Sequence, residues 1–143
     1  MTGLSTIRRF LSDRHGTAAI EFAFLVGPLL LLMFGSIEVS RLIWVQNAMH
    51  ETAISGARCM GIRALDCADG ETFSAAETTD FIRQTASSWG LTITATEIAI
   101  NPTSGCGNPT GFSSVVISYR FTSALTALTG PQLRSEACFP NQN

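Results

Sequence analysis

The hydrophobic positions of this chain are concentrated near its amino terminus. Thr17–Ile37 is a run of twenty-one residues that contains one charged side chain, Glu21. A helix of that length is about 30 Å long, which matches the hydrocarbon core of a lipid bilayer. The run therefore predicts a transmembrane helix. Pro28 lies within it and predicts a bend, because proline frees the carbonyl one turn earlier.

The helical pattern continues after the apolar run. Apolar and small residues recur at steps of three or four, with polar side chains between them: Leu42, Val45, Met49, Ala53 and Ala57. No helix breaker separates the two parts, so the pattern predicts one helix from about Ala18 to Cys59. Small residues also form two rows on this helix: Ala53, Ala57 and Gly61, and Ala48, Thr52 and Gly56. Such rows fit packing either against the protein's own sheet or against the helix of a neighbouring subunit.

A second, shorter helix is predicted further along the chain. The segment from Ser74 to Glu77 is a capping box, and the helix that it opens is expected to end at Trp89, with Gly90 just beyond. Trp89 is expected in the core, whereas Trp44 is expected as an anchor at the outer membrane interface. Leu65–Thr72 has the composition of a turn-forming loop.

Alternating apolar and polar residues predict three strands. They are Leu91–Ile100 with a bulge near Glu97, Ser114–Phe121, and an edge strand over Arg134–Phe139. The expected fold class is α+β: a long N-terminal transmembrane helix that continues into a small exported domain, with a short helix and an antiparallel sheet of roughly three strands.

Charges beside the apolar run predict its orientation. Arg8, Arg9 and Arg14 precede it with Asp13 as the only acid, so the positive-inside rule keeps this end in the cytoplasm. The expected organisation is a basic cytoplasmic leader at 1–16 and a transmembrane helix at 17–37. An exported continuation of the helix follows at 38–59, and a small disulfide-stabilised α+β domain at 60–143.

Composition argues against nucleic-acid binding and against catalysis. The 143 residues include nine basic and eleven acidic side chains, for a net charge of −2, and proteins that bind nucleic acid normally carry a basic surface. All nine basic residues are arginine, and His15 and His50 are the only imidazoles. No catalytic motif is present, so we expect no enzyme activity, no metal and no cofactor.

The junction between leader and span allows three interpretations. It resembles a cleavable secretory signal, although no good cleavage site follows the apolar run, and it also suits an uncleaved anchor. The third interpretation is a cut after Gly16, which makes Thr17 the first residue and Glu21 the fifth. The new α-ammonium group and the Glu21 carboxylate would then compensate each other in a low-dielectric layer.

The stretch DRHGTAAIEFAFLVGPLLLLMFGSIEVSRLIWVQNAMHETAISGARC resembles the TadE-like pseudopilins of the tight-adherence (Tad, Flp pilus) machinery. The shared features are a basic leader ending in Gly16, an acid at the fifth position, Pro28 in the span and a tail of small residues. The resemblance implies a minor pilin or pseudopilin that a prepilin peptidase cuts between Gly16 and Thr17. Glu21 would then act in assembly.

The resemblance also implies partners and a location. The partners are the prepilin peptidase, the Tad inner-membrane assembly platform, other pseudopilins, the Flp major pilin and the membrane itself. The location is the bacterial inner membrane or the pilus, with a cytoplasmic N-terminus and a periplasmic or extracellular C-terminal domain. The alternative is a signal-anchored envelope protein with an exported binding domain that never enters a filament.

Four cysteines lie on the predicted exported side, and they allow three disulfide pairings. We favour Cys59–Cys67, which would fix the helix end to the following loop, and Cys106–Cys138, which would tie the central loop to the last strand. A zinc site is the alternative, but no C-x-x-C pair occurs. Disulfides suit this domain because its small size limits its hydrophobic core.

Overall fold

The computed structural model describes residues 16–69, 72–103, 110–123 and 129–142. The elements in chain order are α1 (Thr17–Gly61), β1 (Ala68–Asp69), β2 (Thr72–Phe73), α2 (Ala75–Ser88), β3 (Ile98–Asn101), β4 (Phe112–Thr122) and β5 (Thr129–Pro140). The fold is α+β, as the sequence predicts. The chain divides into two compact units between Ile37 and Glu38. We call Glu38–Asn143 the second unit, and residues 17–37 of α1 the span segment.

Helix α1 confirms the prediction of one long helix. It contains 45 residues, begins one residue before the predicted start and ends two residues after Cys59. The helix continues through Pro28. The predicted bend at that proline stays a prediction.

The main sheet has the order β3-β4-β5, and both pairs are antiparallel. Ile98 pairs with Ile117 at one end of β3, and Ser118 pairs with Arg134 in the middle of β5. Strand β5 lies at an edge, as predicted, but it begins at Thr129 and not at Arg134. Strand β4 is the central strand, and its Val115 and Ile117 side chains belong to the buried core on one face of the sheet, while Phe121, at a register shift, is buried as well.

The predicted strand over Leu91–Ile100 is wrong in its first half. Only Ile98–Asn101 is extended and paired, while Ala95–Glu97 forms a 3₁₀ turn. The Glu97 carboxylate accepts hydrogen bonds from the Thr94 backbone N–H at 2.7 Å and from the Thr94 hydroxyl at 2.8 Å. These local bonds compete with a sheet ladder for the same backbone groups, so the chain turns where a bulge was expected.

A second correction concerns the segment before α2. The predicted loop Leu65–Thr72 contains a 3₁₀ turn at Leu65–Cys67 and strand β1. Strand β1 pairs with β2 in a small antiparallel hairpin, with Ala68 opposite Phe73. The two strands have two residues each, too few to show the alternation that identifies a strand in sequence.

The ends of α2 confirm Ser74 and Gly90 as its capping residues, but the predicted capping box is only half formed, because the Ser74 N–H donates to the Cys67 carbonyl. The Ser74 hydroxyl accepts a hydrogen bond from the Glu77 N–H at 3.4 Å. At the other end the N–H groups of Gly90 and Leu91 donate to Ser87 and Ala86, and Gly90 has a φ of +76°. This is the Schellman motif, in which glycine takes the left-handed conformation beyond the helix.

The core of the second unit lies between α1, α2 and one face of the main sheet. Its buried members are Met49, Ala53, Ala57, Met60, Ile82, Ala86, Leu91, Ile93, Val115, Ile117 and Ala137. Both rows of small residues on α1 are buried as well. At Gly56 an added Cβ would lie 2.7 Å from Ile82 Cγ1 and 3.3 Å from Val115 Cγ2. The rows therefore pack against the protein's own helix and sheet.

Trp89 is not a core residue, contrary to the prediction. Its side chain is 41% exposed and meets Trp44 edge-on, with 5.9 Å between the ring centroids. Trp89 shares the helical phase of the buried Ile82 and Ala86, but it is the C-cap residue of α2. Helical phase no longer determines the direction of a side chain where the helix ends.

Candidate functional site

The span segment exposes apolar side chains in every direction around the helix. Apart from the half-buried Val26, the exposed fraction of its large side chains runs from 44% at Leu30 to 77% at Phe24. The other exposed members are Ile20, Phe22, Leu25, Leu29, Leu31, Leu32, Met33, Phe34 and Ile37. A helix that is apolar all round needs an apolar environment on all sides, such as lipid or other helices. By length and composition α1 is a candidate membrane span, and its most apolar part is not buried against the protein.

The predicted processing site lies at the beginning of this helix. Gly16 is exposed, and an added Cβ there would have no neighbour within 4 Å. Thr17 is the first residue of α1. The arginines of the predicted leader, Arg8, Arg9 and Arg14, lie outside the described residues.

Glu21 lies on the exposed surface of the first turns of α1. Across the described ranges, no cationic side chain lies within 4.0 Å of its carboxylate. An ionised carboxylate inside a bilayer is costly, by about 2.5–3.5 kcal/mol near the centre of a span and less near its end. In a bilayer, the negative charge of Glu21 would therefore need a cationic group that the described residues do not place beside it.

The first charges of the second unit are already paired. Arg41 Nη1 lies 3.1 Å from Glu38 Oε2, and the Arg41 guanidinium lies 5.6 Å from the centroid of the Phe121 ring. An exposed ion pair of this kind contributes less than about 1 kcal/mol. Its effect here is to neutralise the acid that directly follows the span segment.

The structure contains the predicted disulfide between Cys59 and Cys67. Their Cα atoms are 5.9 Å apart, and both side chains are buried. The bond joins the last turns of α1 to the 3₁₀ turn before β1. Cys138 is also disulfide-bonded, but its predicted partner Cys106 lies outside the described residues, so that pairing stays a prediction.

Hydrogen bonds from α2 hold the loop that this disulfide closes. The Cys67 carbonyl accepts from the Ser74 N–H at 3.2 Å and from the buried Thr78 hydroxyl at 3.2 Å. The same hydroxyl lies 2.8 Å from the Ser74 carbonyl. The disulfide thus joins the end of α1 to the turn at Cys67, and hydrogen bonds join that turn to the beginning of α2.

Side chains able to bind metal are dispersed in the part of the chain that the structure describes. No group of three or more His, Cys, Asp or Glu side chains there could hold an ion. His50 is exposed, and its Nδ1 lies 3.4 Å from the Ser135 hydroxyl.

These features define a class of protein: one candidate membrane span, continuous with the first helix of a disulfide-linked α+β unit. The family model described as TadE-like protein matches residues 16–58. The match begins at Gly16 and covers the span segment and most of the rest of α1, which confirms the resemblance to the TadE-like family over this segment. It is consistent with a pilin-like protein associated with the Tad pilus system. Comparisons with curated proteins and with solved structures give no match.

Proposed function

We propose that the protein is a minor pilin or pseudopilin of a Tad/Flp pilus, which a prepilin peptidase processes and which packs into assemblies through its span segment. One observation carries the proposal. The span segment lies in the part of α1 that matches the TadE-like family model. It contributes no residue to the core, and it exposes apolar side chains around the helix. Such a surface is suited to lipid before assembly and to neighbouring helices afterwards.

Processing would change the forces that hold the helix in the membrane. The leader carries three arginines against Asp13, a net charge of +2, so its removal takes the formal charge of the chain from −2 to −4. Cytoplasmic arginines resist translocation, and their loss leaves the apolar helix as the main anchor. A bundle of similar helices from other pseudopilins and the Flp major pilin could then replace the lipid around it.

The same cut would give Glu21 its compensating charge. Thr17 would carry a free α-ammonium group one helical turn before the Glu21 carboxylate. The two groups could pair within one chain or between adjacent subunits. Pairing between subunits would favour one register between neighbouring helices, because a misplaced neighbour leaves the carboxylate uncompensated in a low-dielectric layer.

The first experiment determines the amino terminus of the protein after co-expression with the Tad system. We expect intact mass and amino-terminal sequencing to show a species that begins at Thr17. Gly16→Phe should block the cut. The control Gly27→Ala should leave the cut unchanged, because Gly27 lies after the cut site and its added Cβ would have no neighbour within 4 Å. A mature protein that begins near Glu38 would instead indicate a secretory signal. An uncut chain would indicate an envelope anchor, and either result would contradict the proposal.

The second experiment tests Glu21 in assembly. Glu21→Ala should leave membrane insertion and the melting temperature of the second unit unchanged, yet reduce co-purification with partner pilins at least about tenfold, the effect of losing 1.4 kcal/mol. Glu51→Ala, which removes an exposed acid of the second unit on the same helix, is the matched control. Normal piliation by the Glu21→Ala variant would show that the carboxylate has no part in assembly.

A further inference from the structure

Two exposed tryptophans meet on the surface of the second unit. Trp44 belongs to α1 and Trp89 caps α2, and their rings lie edge to face at an interplanar angle of 64°. The Trp44 Nε1–H donates to the Trp89 backbone carbonyl at 3.4 Å, which ties the Trp44 ring to the end of α2. Yet 57% of Trp44 and 41% of Trp89 remain exposed. Side chains of this size and apolar area are normally covered, whereas here more than half of Trp44 and two fifths of Trp89 are open.

The position of Trp44 along α1 places this pair close to the end of the span. Trp44 lies seven residues after Ile37, about 10 Å along a helix. Side chains of an α-helix point back towards its N-terminus, so the indole ring lies nearer to the span than its own Cα does. The headgroup layer adds about 5–8 Å on each side of the hydrocarbon core. If the hydrocarbon core ends near Ile37, the Trp44 ring would lie at the depth of the headgroups, with Trp89 against it.

The surroundings of the pair suit the same layer. Val39 and Ile43 are 59% and 53% exposed, and they continue the apolar surface of α1 beyond Ile37. The nearby Glu38 is neutralised by Arg41. Around Trp89, residues 84–96 contain no charged side chain, but they are rich in hydroxyl groups. Indole rings combine an apolar ring with a hydrogen-bonding N–H, and tryptophan is enriched at membrane interfaces for this reason.

We propose that Trp44 and Trp89 form a membrane-contact site, at which the end of α2 in the second unit lies in the lipid headgroup layer. The proposal rests on the membrane span but not on processing or on incorporation into a pilus, and it is therefore tested on the uncut chain.

Tryptophan fluorescence tests the site directly, because Trp44 and Trp89 are the only tryptophans of the chain. Trp44→Phe leaves Trp89 as the only reporter, and Trp89→Phe leaves Trp44. Each variant of the full chain is reconstituted into phosphatidylcholine–phosphatidylglycerol vesicles with a nitroxide either near the headgroup or near the end of the acyl chain. Iodide serves as the aqueous quencher. Near-ultraviolet circular dichroism of the second unit controls for folding.

We expect both reporters to be quenched more by the shallow nitroxide than by the deep one. Both should also be protected from iodide in vesicles, with an emission maximum at shorter wavelength than in the same chain unfolded by urea. Full access of iodide to Trp89, without quenching by the shallow nitroxide, would overturn the proposal. Protection of Trp89 that is lost on dilution of the protein at constant lipid would also overturn it, because a second copy of the chain would then be the partner.

Discussion

Gly56 and Gly61 are positions of α1 at which a methyl group does not fit. An added Cβ at Gly56 would lie 2.7 Å and 2.9 Å from two carbons of Ile82, and at Gly61 it would lie 2.5 Å from Phe139 Cδ1 and 3.1 Å from the Pro140 carbonyl. Ile82 is completely buried, so it has little room to move. Glycine is thus required at Gly56 by the close approach of α2, although glycine weakens a helix interior by about 1 kcal/mol.

Gly56→Ala should lower the free energy of unfolding of the second unit by about 1–2 kcal/mol. Overpacking a core typically costs about 1–3 kcal/mol, and the gain in helix propensity offsets part of it. The measurement is urea unfolding in detergent, followed by near-ultraviolet circular dichroism. Gly35→Ala is the control, because no atom lies within 4 Å of its added Cβ, and it should leave this transition unchanged. Equal transitions for the two variants would mean that α1 and α2 do not approach closely at Gly56.

Thr78→Val should destabilise the second unit by about 1 kcal/mol or more. The substitution keeps the branched shape but removes the hydroxyl that bonds the Cys67 and Ser74 carbonyls in a buried position. Thr79→Val is a matched control one residue away, since its hydroxyl bonds only the Ala75 carbonyl and is exposed. Thermal unfolding of both variants compares the stability lost with the Thr78 hydroxyl and with the Thr79 hydroxyl. Equal melting temperatures would contradict a role for Thr78 in holding the disulfide loop.

At the level of elements, the disulfide between Cys59 and Cys67 links the end of α1 to the turn that leads into the β1–β2 hairpin. The two cysteines are eight residues apart, and closing so short a loop restricts the unfolded chain by about 2.5 kcal/mol in the chain-entropy account. The double variant Cys59→Ala/Cys67→Ala should lose about that much stability in urea. Each single variant should lose a similar amount, because either one opens the loop. A double variant as stable as the parent would contradict this account.

The elements that the sequence predicted well are those with long or punctuated patterns. Helix α1 has an apolar run followed by a regular helical repeat, and α2 has Ser74 before it and Gly90 after it. The elements that it missed are governed by contacts of single residues. Thr94 and Glu97 turn the chain where alternation alone predicted a strand, and hairpin β1–β2 is too short to carry a period.

The residues of the candidate site also differ in how well the sequence predicts them. Composition and spacing mark Gly16, Glu21 and the span segment in one continuous stretch, and the roles of Gly16 and Glu21 stay predictions. The exposed pair of Trp44 and Trp89 joins residues 45 positions apart, and only the docking of α2 beside α1 brings their rings together. A contact between distant positions leaves no periodic pattern in one sequence, and the sequence alone therefore predicts Trp89 in the core, which is wrong.

For the whole molecule, the division at Ile37 separates the span segment from the core, because every member of the core cluster in the described ranges lies after it. The core begins at Met49 and ends at Ala137, and both lie in the second unit. A fragment that begins at Glu38 should therefore fold when it is secreted into an oxidising compartment. We expect a cooperative thermal transition and dispersed amide resonances.

A shorter fragment that begins at Ile62 provides the control for that prediction. It lacks Met49, Ala53 and Ala57, which form the α1 side of the core, and it also lacks Cys59. We expect it to remain unfolded under the same conditions. If it folded, or if the longer fragment did not, the assignment of residues 38–61 to the second unit would be wrong.

The exposure of the span segment on every side has a consequence for how the chain tolerates change. Each apolar side chain there meets its surroundings and not a fixed partner, so exchanges among leucine, isoleucine and phenylalanine should be neutral for folding. Two turns or more beyond Glu38 the same helix is restricted to alanine, glycine or threonine along two rows. A chimera with a generic polyleucine span in place of residues 17–37 should keep the melting temperature of the second unit and lose assembly with partner pilins. The candidate span and the core of the second unit would then be separate modules on one continuous helix, and each could be exchanged without redesign of the other.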